Sequence, residues 1–141
     1  WLTIIYQMVR CFVLNRVTIK ALREQPGISK ENTKNLDKKN LVSNVYSIHE
    51  VILLRWLELH YNKLHPHNPR SICNFDTDLY DGVVFSAVLI SNVPWVEPLL
   101  EGVQPGNADQ RRKNARSLIA VMRQLGLTYE LQVQDFMKPI A

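Results

Sequence analysis

Three histidines, His60, His65 and His67, cluster around Pro66, and imidazole is a common metal ligand. Their spacing lacks the i, i+4 pair that would put two rings on one helical face, and no cysteine or convergent acid stands beside them, so a solvated helix end is the expectation. Asp76, Asp78 and Asp81 could supply paired carboxylates for acid–base work or hold a cation, but they precede an apolar run, where capping and compensation of the helix dipole are the common use. Ser86 and Cys73 sit in no nucleophile signature, and neither GxxxxGK[ST] nor GxGxxG occurs. No enzyme, cofactor or metal is expected. Cys11 and Cys73 lack CxxC spacing and are expected as free, buried thiols of a reducing compartment, the cytoplasm.

The basic residues carry more. The net charge of +4 is unevenly divided: residues 1–46 hold eight Lys or Arg against three acids, while 47–141 hold nine against ten. Arg16, Lys20 and Arg23 recur at helical spacing, and Lys30, Lys34, Lys38 and Lys39 extend the field. Arg111, Arg112 and Lys113 fall in the first turns of a helix, where the positive end of the dipole makes each cation unfavourable by about 0.3–1 kcal/mol. Arg112, Arg116 and Arg123 then lie within about 40° of one another on its outer side. A solvated polar face accounts for such a run. A surface for an acidic partner accounts for it equally. Nucleic acid is not expected, because aromatic residues are not interleaved with the cations and no DNA-reading motif is present.

The elements that position these residues follow from periodicity and caps. From Ser47 to His65 the polar Arg55, Glu58 and Asn62 occupy one narrow stripe, and Val51, Ile52, Leu53, Leu54, Trp56, Leu57, Tyr61 and Leu64 take most of the circumference. This predicts an enclosed helix, opened by a Ser47/Glu50 capping box and stopped before Pro66. Asp78 is expected to cap a second helix ending before Pro94, after a loop pinned by Ile72 and Phe75. A loop of about a dozen residues leads to a third helix capped at Asn107 and Asp109 and ended by Gly126, with Ala115, Leu118, Val121, Met122 and Leu125 facing inward. Residues 1–25 predict an amphipathic helix without a breaker before Pro26-Gly27, and 26–46 a charged, solvated linker.

With 141 residues, 46% apolar and 21% charged, the chain can bury one ordinary core. It begins with Trp, so a piece of a longer chain is expected. Gln7 and Arg10 interrupt the apolar start, which is too short for a membrane span of about 20 residues.

The sequence resembles the calponin homology domain over roughly residues 47–136. The likeness rests on LLRWLELHYN, NFDTDLYDGVVFSAVLI and RKNARSLIAVMRQLGL in that order, with Trp56, Asp78, Leu79, Asp81, Gly82, Asn114 and Gly126 matching the family pattern. The resemblance implies an all-α bundle over 47–141 built about Trp56, without a catalytic role. The family's closing helix has no counterpart before Ala141, so either the fragment stops short or the N-terminal helix takes that place. The single divergent domain and its flanking helix are similar to large ciliary scaffolds. That likeness implies a cytoskeletal module of the cilium or flagellum axoneme, docking to microtubules or axonemal partners, with tubulin's acidic face meeting the cations. Actin binding is the alternative, but the family's actin binders usually carry two domains in tandem, and residues 1–46 repeat neither the Trp nor the D-G motif. A third expectation is that the first helix docks on the domain or on a larger assembly.

Overall fold

A computed structural model describes residues 4, 5, 8, 13–25, 28, 33, 43–127 and 132–137. All their regular structure is helical: α1 (Ile19–Arg23), α2 (Ile48–Leu64), α3 (Val83–Asn92), α4 (Glu97–Leu100) and α5 (Ala108–Gln124), with 3-10 turns at Leu14–Arg16, Pro94–Val96 and Val133–Phe136. None of these helices is long and apolar enough to cross a membrane. The chain forms two compact units, Trp1–Leu59 and His60–Ala141. Their boundary lies inside α2, whereas periodicity and composition place boundaries at 25/26 and 46/47.

In the first unit the expected unbroken helix is interrupted. Val17 and Thr18 are extended, and the Thr18 hydroxyl accepts the Ala21 N–H at 3.1 Å, starting α1 afresh. A β-branched pair whose hydroxyl can cap the following turn breaks a helix without Pro or Gly. The His49 ring reaches the Val17 carbonyl at 2.8 Å and ties this break to the first turn of α2. Leu22, Val51 and Ile52 form the core, with Val17, Ile19, Ile28, Tyr46, Trp56 and Leu59 packed around them. Thr33, in the stretch read as solvated linker, is fully buried and bonded by the Arg23 guanidinium. Cys11, Lys30, Lys34, Lys38 and Lys39 lie outside the described residues.

The capping box of α2 forms as expected: the Ser47 N–H donates to Glu50 Oε2 at 2.7 Å, and the Glu50 N–H points back to Ser47 Oγ at 3.4 Å. The helix is not enclosed all round, for Ile48 and Leu64 are exposed. Trp56 is only half-buried, which corrects the expectation of a bundle built about it. Tyr61, 1% exposed, is the deeply buried aromatic of this helix. A helix apolar on nearly every side has no face of its own to bury, so its neighbours choose.

In the second unit Val96, Leu100, Ala115, Leu118, Ile119, Val121 and Phe136 make the core, ringed by Phe85, Leu89 and Ile90, among others. The Phe85 and Phe136 rings meet edge to face, with centroids 6.2 Å apart. The expected loop before α5 is largely structured, since Pro94 and Pro98 open the short turns that carry Val96 and Leu100 inward. Helix α3 starts at Val83 and not at Asp78. The Asp78 carboxylate instead accepts the N–H groups of Cys73 and Asn74 at 2.7 and 3.1 Å, leaving Asp81 to take the Val83 N–H at 3.0 Å. Helix α5 follows its signals at both ends. Asn107 accepts the Asp109 and Gln110 N–H groups, and Gly126, at φ +77°, closes a Schellman motif through Gly126→Arg123 and Leu127→Met122 bonds.

Candidate partner-binding surface

The described chain has no group of three or more His, Cys, Asp or Glu placed to hold a metal ion. The three histidines do not converge. His60 is buried with Nδ1 2.7 Å from Ser91 Oγ, His65 stacks on Tyr61 at 4.6 Å, and His67 is exposed. The aspartates serve the loop ahead of α3: Asp81 pairs with Arg70 at 2.8 Å, and the Arg70 guanidinium lies 5.1 Å from the Tyr61 ring centroid. Burial opposes the charge on Arg70, but the hydrogen bond and charge of Asp81 outweigh it and raise its pKa. Cys73 is exposed, correcting the expectation of a buried thiol.

Burial also acts on His60. Loss of water, and secondarily the charge of Lys63, lower its pKa below the ordinary 6.5. The folded state then holds a neutral imidazole where the unfolded chain binds a proton, so stability is full above about pH 6.5 and declines as pH falls below it. Urea unfolding at about pH 7.5 and about pH 5.5 should show a lower midpoint in acid, and His60→Gln should flatten that difference.

Three of the motif residues, Asp81, Gly82 and Asn114, come together where the start of α3 meets α5. Asn114, 1% exposed, donates through Nδ2 to the Asp81 and Gln104 carbonyls, both at 2.8 Å, and accepts through Oδ1 from Gln110 Nε2 at 2.8 Å. Gly82 adopts φ +77° directly over Leu118, and Leu79 is buried nearby in sequence. Asp78, Asp81, Gly82, Asn114 and Gly126 therefore all shape turns or helix ends, while Trp56 belongs to the first unit. Asn114 itself matches the family pattern, but its bonds to Asp81 and Gln104 could not be read from spacing, because those two partners lie outside α5 while only Gln110 stands one turn away on it.

The buried face of α5 orients the opposite one. With Asn114, Ala115, Leu118, Ile119 and Val121 buried, Arg112, Lys113, Arg116 and Arg123 are exposed. Arg112 pairs with Asp109 at 3.0 Å with both side chains largely exposed, a pairing of small energetic weight. Lys113, Arg116 and Arg123 form no ion pair with any described residue. Arg111 leaves this face: its guanidinium lies 4.5 Å from the Tyr80 ring centroid, a cation–π contact that also covers its Nε. In the first unit Arg16 and Lys20 are exposed, Lys20 reaching Glu24 at 3.9 Å, and Arg23 is engaged by Thr33. The chain thus offers an open cationic strip on α5 and scattered cations on α1, with no paired nucleophile and base among them.

Over 152 aligned residues the chain is 30% identical to cilia and flagella-associated protein 47 of Mus musculus, and over 156 residues 28% identical to cilia- and flagella-associated protein 47 of Homo sapiens. Each alignment takes in 99% of this chain and 5% of the relative, so the chain spans about a twentieth of the length of these curated proteins. No family model matches the sequence. No solved structure matches it.

Proposed function

We propose that this chain is a non-catalytic, calponin-homology-like interaction module of a cilium- or flagellum-associated scaffold, docking on the acidic face of tubulin, or of a neighbouring axonemal protein, through α5. The observation that carries this reading is the row of exposed Lys113, Arg116 and Arg123, none of which forms an ion pair with a described residue. A cation strip left open on a rigid helix steers acidic surfaces at long range and loses its hold as salt screens it. The ciliary setting is supported by the two relatives, whose names carry cilia and flagella, and by alignment along nearly the whole chain. The calponin homology reading is supported by Asp81, Gly82 and Asn114, which join the start of α3 to α5.

Co-sedimentation with microtubules tests it. Binding at low salt should fall at least about tenfold when Arg112, Arg116 and Arg123 are replaced together by Glu, and should weaken as the Debye length shrinks toward about 3 Å near 1 M salt. Absence of pelleting at low salt, or pelleting that ignores the charge reversal, overturns direct tubulin binding. Actin filaments run in parallel give the contrast, and preferential pelleting with them would replace microtubules by actin.

A further inference from the structure

The second unit carries a pocket of about 340 Å³ between α3 and the turn through α4, with none of the α5 cations in its lining. Val83, Ala87, Ile90 and Leu100 supply apolar walls, and His65, Glu97 and Glu101 complete its rim. Two features of the lining leave hydrogen-bond acceptors open to an occupant. Glu97 and Glu101 stand one turn apart, exposed, and no described ion pair neutralises either, although like charges at i, i+4 repel. Ser86 is 5% exposed, and its hydroxyl, which still meets solvent, makes no hydrogen bond with a described residue.

We propose that this pocket is a docking site for a lysine or arginine side chain presented by a partner protein. The pocket suits that occupant in each part. A long basic side chain lays its methylenes on apolar walls while keeping its charged head among acceptors. Here the two carboxylates neutralise the head, and the Ser86 oxygen accepts one further N–H. An acidic segment would be repelled by Glu97 and Glu101, and a purely apolar one would leave them and Ser86 unpaired. The site is distinct from the cationic strip, so one module would present an acid-seeking helix face and a base-seeking pocket.

The probe is a fluorescein-labelled amphipathic peptide with one leucine face and one lysine face, titrated into the whole chain. Its control carries glutamine at every lysine. Fluorescence anisotropy should show binding of the lysine peptide only, weakened about tenfold by Glu97→Gln with Glu101→Gln and by a smaller factor by Ser86→Ala. Amide shifts on titration should centre on Ser86, Ile90 and Glu101. Replacing Arg112, Arg116 and Arg123 by Glu should leave this binding in place, which separates the pocket from the microtubule reading. The proposal is overturned by equal affinity for the glutamine control, by affinity unchanged in the double Gln variant, or by shifts centred elsewhere. It is also overturned if the chain dimerises without peptide and the double Gln variant dissolves the dimer, for the occupant is then a second copy.

Discussion

Asn114→Ala should lower the unfolding free energy by about 3 kcal/mol, measured by urea unfolding followed by circular dichroism. The amide is nearly devoid of exposure and bonds in three directions, to the Asp81 carbonyl, the Gln104 carbonyl and the Gln110 side chain. Alanine takes this donor from the Asp81 and Gln104 carbonyls and empties a site that is itself buried, and a polar group left unmet where water does not reach it costs about 1–3 kcal/mol. Gln110 can turn to solvent, which is why the third bond adds little. Asn114→Asp makes the sharper comparison: it keeps the size and the Oδ1 acceptor but turns a carboxylate oxygen toward two carbonyls, so it should destabilise at least as much as alanine. A loss under about 1 kcal/mol in both variants would mean that α3 and α5 are not joined through this side chain.

Gly82→Ala should cost about 2–4 kcal/mol, the second large effect, and Gly126→Ala only about 1–2. Both glycines adopt φ +77°, so both substitutions carry the penalty of a left-handed backbone for an L-residue. Their surroundings differ. A Cβ on Gly82 would stand 2.7 Å from Leu118 Cδ1 and 3.6 Å from Asn114 Cβ, whereas one on Gly126 meets nothing within 4 Å. Leu118 is fully buried in the core, so it cannot swing away without opening a gap elsewhere. The difference between the two variants thus isolates the overpacking cost from the conformational one. Equal destabilisation would show that the α3–α5 contact yields to an added methyl group.

These two residues bear on the proposed docking face as well. Asn114 and Leu118 hold α5 by its inner side, and the exposure of Arg112, Arg116 and Arg123 is the geometric complement of that attachment. A variant that loosens the attachment should weaken microtubule pelleting together with stability, whereas the charge reversal should weaken pelleting and leave the urea midpoint nearly in place. Surface substitutions away from special features usually change stability by no more than about 0.5 kcal/mol, which makes the two behaviours separable.

Much of α5 could be read from residues alone. Asn107 and Gly126 act on backbone groups within a few positions of themselves, and a period that alternates apolar and basic residues around one circumference leaves a single way to bury it. The Ser47/Glu50 box and the stop of α3 ahead of Pro94 are local in the same sense. Where two local solutions were equally good, tertiary structure chose between them. Asp78 and Asp81 can each cap, and the decision fell to the N–H groups of Cys73 and Asn74, which claim the first carboxylate. Trp56 and Tyr61 share a helix without a preferred face, and Tyr61 is the one buried, beneath Arg70. Arg111 and Arg112 are adjacent and chemically alike, yet Tyr80, 31 positions away, draws the first inward and leaves the second in water. Caps, breaks and amphipathic faces involve neighbours along the chain and so were set by the sequence itself; the choice among equivalent caps, aromatics and arginines depended on partners distant in sequence, and only packing brings those together.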